Sequence, residues 1–199
     1  VTSSDLNVFD ISSPTNPVFS NKVPVGWNIE TVYPFKDRLF VGSMTGMFIF
    51  GTQNPLAPNK IGQFAHVRTC DPVIADDHNA YVTLRSGNEC QGFTNQLDVL
   101  NIDNITAPTL VKTYQLTNPH GLSKDGNTLF VCDGKDGLKI YDVANTSSLN
   151  LLKHLKGLET YDVIAYNKVA LVVAKDGLYQ FDYSNLNDVR MLSKIGYKN

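Results

Sequence analysis

One short pattern recurs five times along this chain, and its spacing constrains the fold more than any other feature of the sequence. The segments Leu6–Ile11, Met47–Thr52, Leu97–Ile102, Leu138–Val143 and Leu178–Tyr183 share an apolar, alternating core that closes on Asp, Asn or Gly. Their first residues lie 41, 50, 41 and 40 positions apart. Each is followed by a turn of similar composition: Ser13–Pro17, Asn54–Pro58, Asn104–Pro108, Asn145–Ser148 and Asn185–Asp188. A period of about 40 residues is the signature of a stacked-repeat architecture, because one repeat alone cannot bury its apolar faces.

Within a period the apolar residues fall in short runs rich in Val, Ile, Phe and Tyr, bounded by Gly, Asn, Asp and Pro, which predicts strands and tight turns. The fourth copy shows four of them: Gly121–Ser123, Thr128–Cys132, Leu138–Val143 and Leu151–Leu155. Lys124–Asn127 and Asp133–Gly137 separate the first three, and their Asp-Gly steps supply the positive φ of antiparallel turns. The leucines Leu149, Leu151, Leu152 and Leu155 also fit a helical stripe, but the register of the other copies assigns them to a strand. Each period is therefore a four-stranded antiparallel meander, and 40 residues for four strands is the period of a β-propeller blade. A sandwich or an open solenoid is the structural alternative. Cutting before each first strand gives a half blade at 1–25 and blades at 26–67, 68–117, 118–157 and 158–199, all within one all-β domain: four and a half blades, from a five-bladed ring or part of a larger propeller. Val1 opens the chain without Met or an apolar leader, as expected of a processed form or a piece of a longer protein. The half blade is expected to be completed by strands preceding Val1, to stay open, or to pair with another chain, and an open edge favours self-association.

The strand, Asp and Asn-Pro turn of Leu6–Pro17, the segment Gly137–Asn145 and the preceding strand Asn127–Val131 resemble the LVIVD repeat of bacterial and archaeal cell-surface propellers. Gly51 stands where that pattern has Asp, and the fourth and fifth copies lack the Pro of the turn. The resemblance implies a propeller exported to the extracellular space, the cell surface or the periplasm. Its motifs are structural and specify no chemistry.

Candidate site residues follow from the repeat. Aligning the blades on Val32, Val73, Leu122 and Val163 puts Glu30, Asp71, His120 and Tyr161 at equivalent positions near the start of the first strands, where they should ring the mouth of a central channel. They predict either a polar site for a cation, a sugar or a partner side chain, or groups that only solvate the channel and satisfy backbone amides. The third period carries about nine extra residues, in Arg85–Gln96, a loop expected on the same face as Trp27, Arg68 and His120. Trp27 and Phe93 beside Arg68 would suit stacking on a sugar ring or anchoring a protein partner. Cys70 and Cys90 map to that face and predict a disulfide and an oxidising compartment. Cys132 ends a buried-looking strand and reads as packing.

Other chemistries are poorly supported. The sequence has no G-x-S-x-G, H-E-x-x-H, G-x-G-x-x-G or P-loop motif, and its cysteines have no zinc spacing. Asp133–Gly137 lacks the ligand spacing of a calcium loop and reads as a turn. The Asn104 and Asn145 sequons are accounted for by the repeated turn. His66 and His154 read as surface histidines of fourth strands. With 17 Lys+Arg against 19 Asp+Glu, scattered, there is no basic stripe for nucleic acid, and no apolar run approaches a membrane span. No cofactor or metal is expected. The residues thus point to a non-enzymatic interaction module with a protein or glycan partner. The alternative is a glycoside hydrolase or lyase using Glu30, Asp71 and Asp162, which requires carboxylates roughly 5 to 10 Å apart, one with a raised pKa. A lectin with repeated pockets is disfavoured because Trp27 has no counterpart in the other blades.

Overall fold

The structure, a computed structural model, describes residues 1–66, 72–87 and 93–197. Its described elements are all strands. The first two, β1 (Asp5–Asp10) and β2 (Val18–Pro24), form a two-stranded sheet. Four four-stranded meanders follow, each with its strands in chain order. They are β3–β6 (Ile29–Phe35, Arg38–Ser43, Gly46–Gly51, Asn59–Ala65) and β7–β10 (Val73–Ala75, Asn79–Leu84, Gln96–Asn101, Thr109–Gln115). Next come β11–β14 (Leu122–Asp125, Thr128–Cys132, Leu138–Asp142, Asn150–Leu155) and β15–β18 (Thr160–Tyr166, Val169–Ala174, Gly177–Asp182, Arg190–Gly196). The leucine-rich segment that also suited a helix is strand β14. By packing, the chain divides into two compact units: Val1–Val82, Ser86–Phe93 and Leu100–Leu110 in one, and Thr83–Arg85, Thr94–Val99 and Val111–Asn199 in the other.

Burial explains the order of strands within a sheet. The second and third strands are the most apolar and the most buried, as in β8, where Ala80 to Leu84 are all buried, whereas β18 at an outer edge is exposed throughout. Strands buried on both faces need neighbours on both sides, so sheets must stack. In the second unit, Phe130, Cys132, Leu138 and Ile140 of β12 and β13 form one core with Val163, Ala165, Ala170, Val172, Tyr179 and Phe181 of the following sheet. Tyr183 packs on Phe130 with ring centroids 4.7 Å apart, and its hydroxyl donates to Asp125 at 2.7 Å. In the first unit, Leu6 of the two-stranded sheet packs with Val41 and Phe50. The partly exposed fourth strands carry a bulge opposite Val8/Phe9, Ile49/Phe50, Ile140/Tyr141 and Gln180/Phe181, a twist that blunts edge-to-edge pairing.

The repeated Asp has a local role. Asp10, Asp142 and Asp182 each end a third strand and accept the backbone N–H two residues on, from Ser12, Ala144 and Ser184, at 2.8 to 2.9 Å. These Asx contacts start the turn, and bonds from Ser12 and Ser184 hold the carboxyls of Asp10 and Asp182 below the usual carboxylate range. The turn then closes by an i to i+3 bond, as from Ser148 N–H to Asn145 O at 3.1 Å and from Asp188 N–H to Asn185 O at 3.0 Å.

Three third strands begin at or just after a glycine for a shared reason. Gly46, Gly137 and Gly177 have φ of 149°, 91° and 150°, and a Cβ there would lie 2.5, 2.1 and 2.3 Å from a carbonyl oxygen of the paired fourth strand. Glycine admits both the positive φ and the close approach. Gly137→Ala is therefore expected to lower the unfolding free energy by about 3 kcal/mol. Gly126→Ala, also at positive φ but with open space around the added methyl, is expected to cost about 1 kcal/mol. Urea denaturation of the two variants beside the parent chain measures both.

Candidate functional site

The equivalence of Glu30, His120 and Tyr161 has a structural basis that the sequence does not display. Between β3 and β4 the pairing steps from Ile29↔Ser43 to Thr31↔Gly42, so the register skips Glu30. Between β15 and β16 it steps from Thr160↔Ala174 to Asp162↔Val173, leaving Tyr161 in the same position. In the sheet between them in the alignment with this third member, both His120 and Gly121 bond Cys132: His120 N–H to its carbonyl at 2.7 Å, and Cys132 N–H to the Gly121 carbonyl at 3.0 Å. All three residues thus sit on a bulge. A bulge releases one residue from the alternation of the strand and re-aims its side chain.

Within the second unit these positions meet. The His120 and Tyr161 rings lie edge to face, 5.4 Å between centroids, and Gly121 N–H donates to the Tyr161 carbonyl at 2.9 Å. Asp162 follows directly: its Oδ1 accepts the Val163 N–H at 2.9 Å and lies 2.0 Å from where a Gly121 Cβ would be. Any side chain at 121 would displace that carboxylate. Tyr161 hydroxyl donates to Glu159 Oε1 at 3.1 Å, and Lys175 ammonium donates to Glu159 Oε2, also at 3.1 Å. The Lys175 bond is the main reason the Glu159 carboxyl is held below its ordinary range.

His120 is held neutral. Arg85 Nη1 approaches its Nδ1 at 2.5 Å, and Asn118 Nδ2 lies 3.3 Å from Nε2. Both neighbours are donors, and a protonated imidazole has no acceptor to offer them. Burial, and then the Arg85 charge, push the ring down to about 4, against the weaker opposite pull of Asp133 and Glu159. The backbone is fixed as well, since Thr83 hydroxyl donates to the His120 carbonyl at 2.7 Å.

Beneath this surface lies a network that the sequence presented as an ordinary turn. Asp133 is fully buried and accepts from Thr117 N–H at 3.0 Å, Asn118 N–H at 2.7 Å and Lys139 Nζ at 2.6 Å. Lys139 also reaches Asp136 at 2.7 Å. Burial opposes the Lys139 charge, but its bonds to the two carboxylates more than reverse that effect and raise its pKa. The turn is real, with Asp136 N–H bonded to Asp133 O at 3.0 Å, and it doubles as the anchor for the segment leading to His120. His154 belongs to the network, not to the open surface: its Nε2 lies 2.5 Å from the Asp136 carbonyl and its side chain is 19% exposed.

Trp27 and Phe93 are 49% and 96% exposed, and Glu30 is exposed on its bulge. Arg68, Asp71 and the Cys70–Cys90 pair lie outside the described residues. Cys132 is fully buried, and burial pushes its thiol pKa up. Sequence reasoning passed over Arg85, Asn118, Asp133, Lys139, Glu159 and Lys175. One signal was available: Asn118 and Glu159 stand two residues before His120 and Tyr161 in the repeat.

Two expectations follow. Asp133→Ala removes the main counter-charge of Lys139 and the acceptor for two backbone amides, and should cost about 3 kcal/mol or more in urea denaturation. Because His120 titrates lower in the fold than in the unfolded chain, the unfolded state binds more protons between pH 6.5 and about 4. That contribution to stability is complete above pH 6.5 and is lost as pH falls towards 4. In His120→Asn, the dependence of unfolding free energy on pH across that window should be flatter than in the parent.

Comparison with known proteins agrees with the architecture. The LVIVD repeat family matches residues 1–24 and 121–156. No curated protein gives a significant sequence match. Among solved structures, the periplasmic gluconolactonase PpgL of Pseudomonas aeruginosa aligns with 100% of this chain and 66% of its own, at TM-score 0.77 and 15% identity. A protein from Lactobacillus plantarum aligns over 94% of this chain and 61% of its own, at TM-score 0.76 and 14% identity. Citrobacter koseri AztD aligns over 88% and 49%, at TM-score 0.64 and 12% identity. The chain thus spans about half to two thirds of these structures, and at such identities the likeness concerns fold alone. The recurring strand, the Asp-capped turn and the four-stranded meanders converge on one conclusion: this chain has a β-propeller fold, and its segments 1–24 and 121–156 match the LVIVD repeat.

Proposed function

We propose that this chain is a non-enzymatic binding module of an exported propeller, taking a glycan or protein partner on the surface formed by Arg85, Asn118, His120 and Tyr161. One observation carries the reading: the bulged positions bring unlike, half-exposed polar side chains of adjacent repeats side by side, as His120 and Tyr161 show. An aromatic edge next to amide and guanidinium donors suits a hydroxyl-rich or carbonyl-rich ligand. Proton transfer is poorly served there. A histidine held near 4 is far from the pKa of an effective acid or base at neutral pH, and Glu159 is lowered where a glycosidase acid must be raised.

Export is supported by the LVIVD match and by a structural neighbour described as periplasmic. The competing enzyme reading, a glycoside hydrolase or lyase working through Glu30, Asp71 and Asp162, draws on the exposure of Glu30 and Asp162.

A thermal-shift panel of diverse glycans and divalent cations separates these readings, since a ligand specific for the folded state raises the melting temperature. At least one glycan is expected to raise it by several degrees, and the rise should vanish in Arg85→Ala and Tyr161→Ala. A rise that survives both substitutions would refute the assignment of this surface. Cleavage products in the panel, lost in Asp162→Asn, would establish the enzyme instead. The absence of any shift would turn the search to protein partners.

A further inference from the structure

The turn that follows each third strand carries a feature that its own geometry does not require. Asn54, Asn104, Asn145 and Asn185 open this turn in the second to fifth copies of the repeat. The backbone carbonyl of each accepts the N–H three residues on, at 3.0 to 3.1 Å. Side chains reinforce the turn: Oδ1 of Asn54, Asn145 and Asn185 accepts the N–H two residues on, at 3.2, 3.2 and 3.0 Å. That bond forms whether the donor residue is Leu56, Ser147 or Asn187, so the turn accounts for the asparagine and not for the residue two places later. In two copies that residue is a hydroxyl. Thr106 Oγ1 donates to Asn104 Oδ1 at 2.9 Å, and Ser147 Oγ donates to Asn145 Oδ1 at 2.8 Å.

Both of these turns are held by their backbone, through the residue after the asparagine. Tyr114 hydroxyl donates to the Thr146 carbonyl and accepts the Leu149 N–H, each at 3.0 Å. One copy earlier, the Ile105 carbonyl lies 1.9 Å from where a Gly62 Cβ would be, an approach that glycine permits. Asn104 and Asn145 are left exposed. Among the described residues, the Nδ2 of neither makes a hydrogen bond. A carboxamide nitrogen becomes a nucleophile as it gives up a proton, and the charge then gathers on its oxygen. A hydroxyl that donates to that oxygen stabilises the charge. Asn54 and Asn185 have Leu56 and Asn187 in place of the hydroxyl, and Asn54 is also followed by Pro55.

We propose that the folded chain presents Asn104 and Asn145 as acceptors of an N-linked oligosaccharide. The donor is an oligosaccharide carried on a lipid pyrophosphate, and the transfer is made by an oligosaccharyltransferase. Nδ2 forms a bond to C1 of the first sugar and loses one proton to a base of that enzyme. The bond from C1 to the pyrophosphate oxygen breaks, and the lipid pyrophosphate leaves with the electron pair. Asparagine followed two residues later by Ser or Thr is the acceptor pattern of surface loops in secreted proteins, so use of these sites in the cell rests on the export proposed above.

The full chain, produced and folded in a host without the enzyme, is incubated with an oligosaccharyltransferase that accepts N-x-S/T and a lipid-pyrophosphate-linked oligosaccharide, and its intact mass is read. The parent should gain two glycans. Asn104→Gln and Asn145→Gln should each gain one, and Thr106→Val and Ser147→Ala should each lose the glycan of their own turn. Asn187→Thr should add a third glycan at Asn185, whereas Leu56→Thr should add none at Asn54, because proline follows that asparagine. A parent chain that gains no glycan, a chain modified only after unfolding in urea, or glycans that persist without the hydroxyls would overturn the proposal. The export reading fails separately, when fractionation of cells that make the chain finds it in the cytosol.

Discussion

Every other feature of this molecule depends on stacking sheets whose central strands are apolar on both faces. A meander such as β11–β14 is too thin to shelter Phe130, Leu138 and Ile140 by itself, and those side chains become fully buried only because Val163, Ala165, Ala170 and Val172 lie over them. Burial of a large apolar side chain contributes roughly 1.5 to 3 kcal/mol. The contact between successive sheets is therefore where this fold gains its stability, and the turns and bulges serve to bring sheets into that contact. Polar ties across the same seam, such as Tyr183 hydroxyl to Asp125 and Ala165 N–H to Ser123 Oγ at 3.0 Å, fix its register.

Much of this was legible in the sequence, because strand propensity and turn chemistry are local. The runs of Val, Ile, Phe and Tyr became strands, the Asp-Gly steps became turns, and the repeated Asp proved to be an Asx cap whose partner lies two residues away. Even Leu149–Leu155, where two periodicities compete, followed the register of its neighbours. The glycines at the start of β5 and β17 and just before β13 could be seen but not explained, since the carbonyl that crowds them belongs to the next strand of the sheet.

The candidate site was only partly legible. Alignment of the repeats singled out Glu30, His120 and Tyr161, but the bulge that unites them leaves no mark on composition. The neutral state of His120 depends on Arg85, 35 residues away in the chain, and no local pattern announces such a pairing. Asp133 was harder still. An Asp-Gly turn and a buried carboxylate with three donors look alike in one dimension, and Lys139 and Asn118 become its partners only when the sheet folds.

The bulge has a consequence for how such a chain can change. A residue in the ladder must satisfy the strand opposite and the sheet stacked upon it, so substitution there alters the scaffold. Glu30 and Tyr161 are skipped by the registers of their ladders, and this position holds an acid, an imidazole and a phenol in three of the repeats without shifting the strands around it. The scaffold thereby separates its invariant part from its variable part within one strand. One fold can then acquire different recognition chemistry, repeat by repeat, by changing a single side chain in each.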